Sequence, residues 1–477
     1  MSDYQHTVKT PGPFELPPPT LRPAARPTLR DRLVLYVARP LWAWRVELGL
    51  SALVLALWLW LVGHLGRAAA GVVVAGMVGL VLAVPRCRRG LWLLLYRARV
   101  RRRFVLACRH AELATPNDRV PRVVGVELVP AGELLRVRIP AGSTTTALAE
   151  AAEQLAVVLD VREVRVSRDR EHASLAQVEI IRRDPLSSPE PVGWPWAMAL
   201  RCSLWQPIPV GIDERGGWVT VSLIERNLLI GGEPGAGKSA VLALLLAVAA
   251  LDPSTVLYLF DGKLVELACW AGCARRTVGL NVAEAVEVLR ELHSELDRRL
   301  AVLLANRRRK ITADLGLPLL VVVIDELAFY VAGPDRRASG EFAGLLRDLV
   351  ARGRAAGIIV LAATQKPSSD VVPTSLRDLF GFRWALRCLT PQASDTILGA
   401  GWAGLGFSAA TVDAADRGVG LLLAEGGQPV RLRACWLDDP ALLALAGRAE
   451  LLRARQRAGT QGSDQSEQAG HDKGQPA

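Results

Sequence analysis

The chain has 477 residues, 51% of them hydrophobic, so it can bury more than one core and cannot be wholly disordered. Its formal net charge of +11 suggests a nucleic-acid partner, but residues 1–103 alone carry sixteen basic and four acidic residues. The remainder is close to neutral, which excludes a basic groove along the whole chain and leaves only local contacts with nucleic acid.

Residues 1–45 form a Pro/Arg-rich tail that we expect to sample polyproline II rather than fold. The next segments, 46–65 and 68–84, are each apolar and long enough to cross a bilayer as a helix. Several arginines flank the outer ends of the two segments, whereas the connection between them contains one, Arg67. The positive-inside rule therefore predicts a multi-pass protein of the plasma membrane with cytoplasmic termini. A buried helical hairpin in a soluble protein is the alternative.

Residues 85–119 are predicted to be a basic juxtamembrane segment, within which 91–103 form an interfacial helix facing anionic headgroups. Alternating strands around one helix predict a small α+β module over residues 120–184. We expect this module to act as a spacer or a subunit contact. A Pro- and Ser-rich linker at 185–204 leads to the main domain, predicted over 205–440.

The stretch LLIGGEPGAGKS, residues 228–239, predicts a buried strand, a phosphate-binding loop and a helix. Backbone N–H groups of such a loop surround the phosphates of ATP, with Lys238 at the β and γ phosphates and the Ser239 hydroxyl on Mg²⁺. The predicted fold is therefore an α/β P-loop NTPase. The predicted nucleotide-binding residues are Gly232, Glu233, Pro234, Gly235, Ala236, Gly237, Lys238, Ser239 and Ala240.

A second motif, LLVVVIDE at residues 319–326, is a run of apolar residues that ends in two acids. This pattern is typical of a parallel strand buried on both faces, with the acids at its carboxyl end. We expect this strand to neighbour the P-loop strand, with Asp325 holding Mg²⁺ through its water shell and Glu326 polarising the attacking water. The alternative is that both acids merely begin a loop.

A third buried strand, residues 358–365, ends on Thr364 and Gln365, two polar residues that we expect to sense the γ-phosphate from the next position in the sheet. Just before this strand, Arg354 is the first candidate for an arginine that projects into the nucleotide of a neighbouring subunit, and Arg352 is the second. Arginine is common throughout the chain, so a solvated helix face is the alternative for both.

Four separate stretches resemble the FtsK/SpoIIIE family of hexameric, membrane-anchored DNA translocases. They are GGEPGAGKS at 231–239, FDGKLVEL at 260–267, VVVIDELA at 321–328 and GRAAGIIVLAATQKPSSDVV at 353–372, with weaker echoes at 295–300 and 416–423. The resemblance covers residues 205–440. It implies a RecA-like motor domain that couples ATP hydrolysis to movement of double-stranded DNA, in a homo-oligomer that is expected to be a hexamer.

Within the family, the two predicted spans and the short spacer look like the transfer proteins of actinobacterial conjugative plasmids and integrative elements (TraB/TraSA-like). Residues 441–477 read as a helix and then a disordered tail, leaving no room for the winged-helix module of cell-division members. We therefore expect a separate protein to recognise the DNA. A chromosome-partitioning translocase, a secretion-type ATPase that moves protein, a coupling protein for single-stranded DNA and a non-hydrolysing membrane scaffold are the alternatives.

Overall fold

The computed structural model describes residues 44–169 and 171–471. The predicted Pro/Arg-rich tail therefore lies almost wholly outside the described residues, as do residues 472–477. The chain divides into two compact units. The N-terminal unit ends at Val126 and takes in Arg138–Thr144, while Glu127–Val137 and the residues from Thr145 onward form the larger unit.

Three consecutive helices make up most of the described part of the N-terminal unit. They are α1 (Arg45–Leu65), α2 (Arg67–Ala83) and α3 (Pro85–His110). Gly66, with a φ of +78°, separates α1 from α2, and a proline begins α3, where its missing N–H leaves no helical bond unmade. Helices α1 and α2 pack against each other.

The structure contains a helix that could span a membrane, but it does not establish the predicted pair of spans. Helix α1 is long and apolar enough to cross a bilayer by itself, whereas α2 meets that criterion only together with α3, from which it is bent by 90°. The described residues thus contain one such span, or two if the bent pair counts as one. Apolar side chains remain exposed on both helices, including Leu53 (67%), Val72 (74%) and Leu80 (65%). The hairpin of two spans stays a prediction.

Helix α3 is longer than the interfacial helix predicted for residues 91–103, and its arginines do not all face outward. Arg102 makes an ion pair of 2.5 Å with Glu47 of α1, and its guanidinium lies 4.2 Å from the centre of the Trp44 ring. Near the helix end, Phe104 and Cys108 are fully buried. Arg102 of this basic segment therefore makes its contacts within the protein.

The small α+β module contains a four-stranded sheet in the order β1-β2-β4-β3. Its elements are β1 (Arg122–Val129), β2 (Gly132–Arg138), α4 (Thr145–Glu150), α5 (Ala152–Leu159), β3 (Glu163–Arg168) and β4 (Leu175–Ile181). Strands β3 and β4 pair antiparallel, and α4 and α5 pack on β3. The fully buried Leu148 and Leu155 of these helices give the module its own core.

A large sheet forms the centre of the main domain. Its strands are β5 (Val192–Gly193), β6 (Ile208–Asp213), β7 (Trp218–Val221), β8 (Leu228–Gly231), β9 (Thr255–Phe260), β10 (Arg276–Val278), β11 (Leu319–Ile324), β12 (Ile358–Thr364), β13 (Phe382–Leu386), β14 (Val419–Ala424) and β15 (Val430–Trp436). The order is β10-β9-β11-β12-β8-β13-β14-β15-β6-β7, and β5 pairs with β15. Strands from β10 to β13 pair parallel, and the remaining pairs from β13 to β7 are antiparallel.

Helices cover both faces of this sheet. They are α6 (Lys238–Leu251), α7 (Val282–Ala305), α8 (Leu327–Val331), α9 (Arg336–Gly353), α10 (Thr374–Arg377), α11 (Pro391–Leu398) and α12 (Asp439–His471). Alternate residues of β11 enter opposite cores: Val321 and Val323 pack on the side of α6, whereas Val322 and Ile324 pack on the side of α7 and α9. The apolar run of β11 thus reflects burial on both faces, as predicted.

One expectation about the sheet is wrong. The strand that ends in the acid pair does not neighbour the P-loop strand, because β12 lies between β11 and β8 and pairs parallel with both. Sequence order does not reveal this insertion, since the chain reaches β12 only after it has formed β11. The carboxyl end of β12 therefore lies between the end of the acid strand β11 and the end of the P-loop strand β8.

The C-terminal helix α12 packs on α6 and on residues 268–273. Its Arg453 is buried and caps the end of α6 by donating hydrogen bonds to the carbonyl oxygens of Ala249 and Ala250 at 2.9 and 3.0 Å. The same guanidinium donates to the carbonyl oxygen of Thr255, 3.0 Å away at the start of β9. Helix α12 continues to His471, through residues for which the sequence predicts disorder.

Candidate nucleotide-binding site

The P-loop joins β8 to α6 at the carboxyl edge of the parallel strands. Gly232 and Gly237 have φ angles of +152° and +109°, which favour glycine. A Cβ atom on Gly232 would lie 3.0 Å from Cβ of Leu386, and one on Gly237 would lie 3.0 Å from Cα of Gly418. These two positions therefore need glycine for backbone angle and for space. Glu233, Pro234, Gly235 and Ala236 complete the loop, and Ser239 and Ala240 lie in the first turn of α6.

Distant segments hold the loop in shape. The Glu233 N–H donates to the carbonyl oxygen of Arg387, after β13, at 2.8 Å, and the Gly418 N–H donates to that of Ala236 at 3.0 Å. Gly418 belongs to the weak echo at 416–423, where the sequence offered a resemblance but no role. The structure gives this segment one: it supports the P-loop.

Lys238 is a buried cation that folds back over the loop. Its Nζ donates a hydrogen bond of 2.6 Å to the carbonyl oxygen of Glu233, and only 5% of the residue is exposed. Burial lowers its pKa to about 8, partly offset by the negative charge of Glu326. A buried ammonium whose partner is a neutral carbonyl is suited to receive an anion.

Asp325 follows β11 directly and is also buried. Its Oδ1 accepts a hydrogen bond of 2.7 Å from the Gly262 N–H, and its buried Oδ2 has no hydrogen-bond partner among the described residues. Burial raises the pKa of this carboxyl to about 6. Since buried oxygens are normally satisfied, the unpartnered Oδ2 fits a role as a ligand for a hard cation such as Mg²⁺.

Glu326, the second acid, is tied to the end of β12. Its Oε1 accepts a hydrogen bond of 2.9 Å from the Thr364 hydroxyl, and both of its oxygens lie 3.2 Å from the Gln365 backbone nitrogen, which donates to them. Gln365 therefore reaches Glu326 through its main chain. The sequence predicts that Thr364 senses the γ-phosphate, but it does not predict the contact of Thr364 with Glu326.

The P-loop helix and Asp325 converge on one small cavity. Lys238, Ser239 and Asp325 line it, with a volume of about 10 Å³, together with Lys263 and Glu266 from the loop after β9. Such a volume holds roughly one water molecule. The structure brings together Lys238, Ser239 and Asp325, which the sequence analysis places in one predicted site. Lys263 and Glu266 appeared there only as part of a resemblance.

A sequence model described as the FtsK/SpoIIIE family matches residues 205–317. This part of the chain is therefore similar to the FtsK/SpoIIIE family. A protein named DNA translocase FtsK from Staphylococcus epidermidis is 30% identical over 219 residues, which cover 41% of this chain and 27% of that protein. A protein of the same name from Tropheryma whipplei is 30% identical over 264 residues, covering 50% of this chain and 34% of that protein.

Solved structures of low sequence identity resemble the chain as well. The conjugation coupling protein TcpA of pCW3, solved with ATPγS, is 18% identical, with a TM-score of 0.49 over 74% of this chain and 99% of that one. EssC from Geobacillus thermodenitrificans is 16% identical, with a TM-score of 0.46 over 56% of this chain and 52% of that one. The similarity to the FtsK/SpoIIIE family rests on the sequence match over residues 205–317.

The two candidate arginines, Arg354 and Arg352, lie away from this cavity. Arg354 precedes β12, so it is at the amino end of a strand whose carboxyl end carries Thr364. It donates to the carbonyl oxygen of Glu225 at 2.7 Å and pairs with Glu425 at 3.0 Å. Arg352 pairs with two carboxylates, those of Asp297 and Asp348. Neither arginine reaches the nucleotide site of its own chain.

Proposed function

We propose that this protein is a membrane-anchored ATPase that moves double-stranded DNA, and that it serves the conjugative transfer of a plasmid or integrative element. The observation that carries the proposal is the convergence of Lys238, Ser239 and Asp325 on one cavity, with Glu326 held beside it. The DNA substrate follows from the family, two of whose relatives are named DNA translocases. The chain spans about a third or less of those relatives.

The site residues have distinct proposed roles. Backbone N–H groups of the P-loop and Lys238 bind the phosphates of ATP, and Glu326 takes a proton from the attacking water. Ser239 and Asp325 would hold Mg²⁺, which supplies charge neutralisation at the phosphates when bound. Arg354 would complete the site of a neighbouring subunit in a homo-oligomer, and the family resemblance implies that this oligomer is a hexamer. Gln365 would sense the γ-phosphate.

The N-terminal unit supplies the proposed anchor. Helix α1 has the length and composition of a membrane span, and its apolar side chains are exposed along much of the helix. Together with α2 it would place both termini and the ATPase domain in the cytoplasm, following the distribution of arginines around the two apolar segments. DNA would be gripped through its phosphates, and a separate protein would recognise its origin.

The test is an ATPase assay on the full-length protein in nanodiscs, with duplex DNA, single-stranded DNA or no polymer. We expect strong stimulation by duplex DNA only, and loss of hydrolysis in Lys238→Ala without loss of membrane insertion. Equal rates in all three conditions would rule out a translocase and favour a secretion ATPase or a scaffold. Loss of the gene should reduce transfer of the mobile element; a defect confined to chromosome segregation would favour the partitioning alternative.

A further inference from the structure

A second lysine lies at the proposed magnesium site. Nζ of Lys263, in the loop after β9, is 3.9 Å from Oδ2 of Asp325 and 3.7 Å from Oε1 of Glu266. The Lys263 side chain is 27% exposed, whereas that of Asp325 is 2% exposed. An ammonium group therefore reaches from the protein surface to the buried carboxylate that the metal would use.

The backbone of this loop is fixed against Asp325. The buried carboxylate of Asp261 accepts hydrogen bonds from the N–H groups of Lys263 at 3.2 Å and Leu267 at 3.0 Å, while the Gly262 N–H is bonded to Asp325. Gly262 packs so closely that a Cβ atom there would lie 3.2 Å from Cβ of Phe329. Since the main chain is held, the side chain of Lys263 is the part that can move.

The distance of 3.9 Å decides the nature of the contact. It is short enough for Coulombic attraction but too long for a hydrogen bond, so Oδ2 keeps its lone pairs free. The positive charge of Lys263 partly offsets the burial that raises the pKa of Asp325 to about 6. Lys263 thus balances the charge of this carboxylate without occupying the oxygen.

We propose that Lys263 is the cation that neutralises Asp325 in the metal-free protein, and that it leaves Asp325 but keeps its contact with Glu266 when magnesium and nucleotide bind. This inference rests on the proposed function, because it takes Asp325 to serve the metal. Lys263 and Mg²⁺ cannot share Asp325 without repulsion between like charges. Glu266 lies on the same loop, at nearly the same distance from Nζ as Asp325, so a rotation of the Lys263 side chain is sufficient.

Two exposed apolar residues follow Lys263 on the same loop. Leu264, next to Lys263, has a φ of +65°, an unfavourable angle for leucine. Leu264 and Val265 are 53% and 74% exposed, so apolar side chains stand beside the lysine that responds to the metal.

The experiment measures binding of a fluorescent ATPγS analogue to the full-length protein in nanodiscs during titration with Mg²⁺. Lys263→Met should lower the half-saturating Mg²⁺ concentration by about fivefold to tenfold, because a competing cation is removed. Nucleotide affinity in excess EDTA should stay within about twofold of wild type. Glu266→Gln should raise the half-saturating Mg²⁺ concentration, since Lys263 then lacks its second partner.

Two further variants keep the result interpretable. Lys263→Arg retains the charge and should bind Mg²⁺ and nucleotide almost as the wild type does. Lys310→Met removes an exposed lysine that pairs with Glu225, and it controls for the loss of one positive charge. An unchanged magnesium midpoint in Lys263→Met would overturn the inference, as would weaker nucleotide binding in EDTA, which would make Lys263 a phosphate ligand. Hydrolysis indifferent to duplex DNA would contradict only the proposed translocase.

Discussion

Thr364 donates a hydrogen bond of 2.9 Å to Oε1 of Glu326 and so joins the carboxyl ends of β12 and β11. Because β12 lies between the acid strand and the P-loop strand, this hydroxyl fixes the proposed catalytic carboxylate from the middle of the sheet edge. We regard Thr364 as a positioning residue that acts through Glu326.

Replacing Thr364 with valine should impair hydrolysis more than binding. The variant keeps the side-chain volume but removes the hydroxyl, and the resulting displacement of Glu326 should lower kcat by about tenfold to a hundredfold. The dissociation constant for ATPγS should change by less than about twofold. Steady-state kinetics and equilibrium binding separate the two effects. Thr396→Val, which removes a hydroxyl bonded only within α11 to Gln392, is the matched control. Equal losses of binding and turnover would show that Thr364 contacts the nucleotide.

Nucleotide affinity should weaken as the pH rises through 8. Burial lowers the pKa of Lys238 to about 8 from its usual 10.5, so the free protein loses this charge in that range. Phosphates prefer the charged lysine, and the Kd for ATPγS should therefore increase above about pH 8 while staying flat from about pH 6.5 to 7.5. Isothermal titration across this range tests the expectation.

The same pKa shift fixes the sign of a stability effect. Because the unfolded chain binds this proton more tightly than the folded chain does, the free energy of unfolding should rise between about pH 8 and 10.5 from this group alone. Lys238→Arg stays charged throughout and should remove the pH dependence of binding. A pH profile of Kd shared by Lys238→Arg and the wild type would show that another group titrates.

Loss of the Arg453 side chain should destabilise the ATPase domain. Arg453→Met leaves the carbonyl oxygens of Ala250 and Thr255 without the guanidinium that now satisfies them. The carbonyl oxygen of Ala249 would keep the hydrogen bond that it accepts from the Thr255 hydroxyl. Unsatisfied buried acceptors should lower the free energy of unfolding by about 3 kcal/mol and the melting temperature by several degrees. Thermal melting of the full-length protein provides the measurement. Arg455→Met, an exposed position on the same helix, should have an effect within about 0.5 kcal/mol.

Mixing two inactive variants tests the role of Arg354. Lys238→Ala removes the P-loop lysine and Arg354→Lys removes the guanidinium, so neither protein should hydrolyse ATP alone. In a mixed oligomer, an intact P-loop from one variant can meet an intact Arg354 from the other, and part of the activity should return. The lysine retains a positive charge near Glu425 and limits damage to the fold. Failure of every mixing ratio to restore activity, with mixed assembly verified, would assign Arg354 a structural role within its own chain.

The sequence predicted the local elements of the site because their signals are local. The P-loop motif at 232–239 and the buried strand before Asp325 are each read from a few adjacent residues, and the structure has both where they were expected. The order of the strands in the sheet could not be predicted in this way. Insertion of β12 beside β8 depends on crossover connections, which leave no mark in the residue pattern.

Contacts between residues far apart in the chain could not be predicted from the sequence either. Arg453 meets the end of α6 across about 200 residues of chain, and in a chain so rich in arginine its importance is invisible in the composition. Arg102 illustrates the opposite error: it was assigned to lipid headgroups as one of a basic cluster, but it pairs with Glu47. Both cases depend on burial, which only the folded chain defines.

The hydrogen bond from the Gly418 N–H to the Ala236 carbonyl oxygen has a consequence for truncated forms of the protein. A truncated copy that stopped before residue 416 would retain every recognisable nucleotide signature, and yet it would lack the backbone that buttresses the phosphate loop. Such a remnant should be inert, and engineered fragments intended for enzymology must extend through β14 to be meaningful.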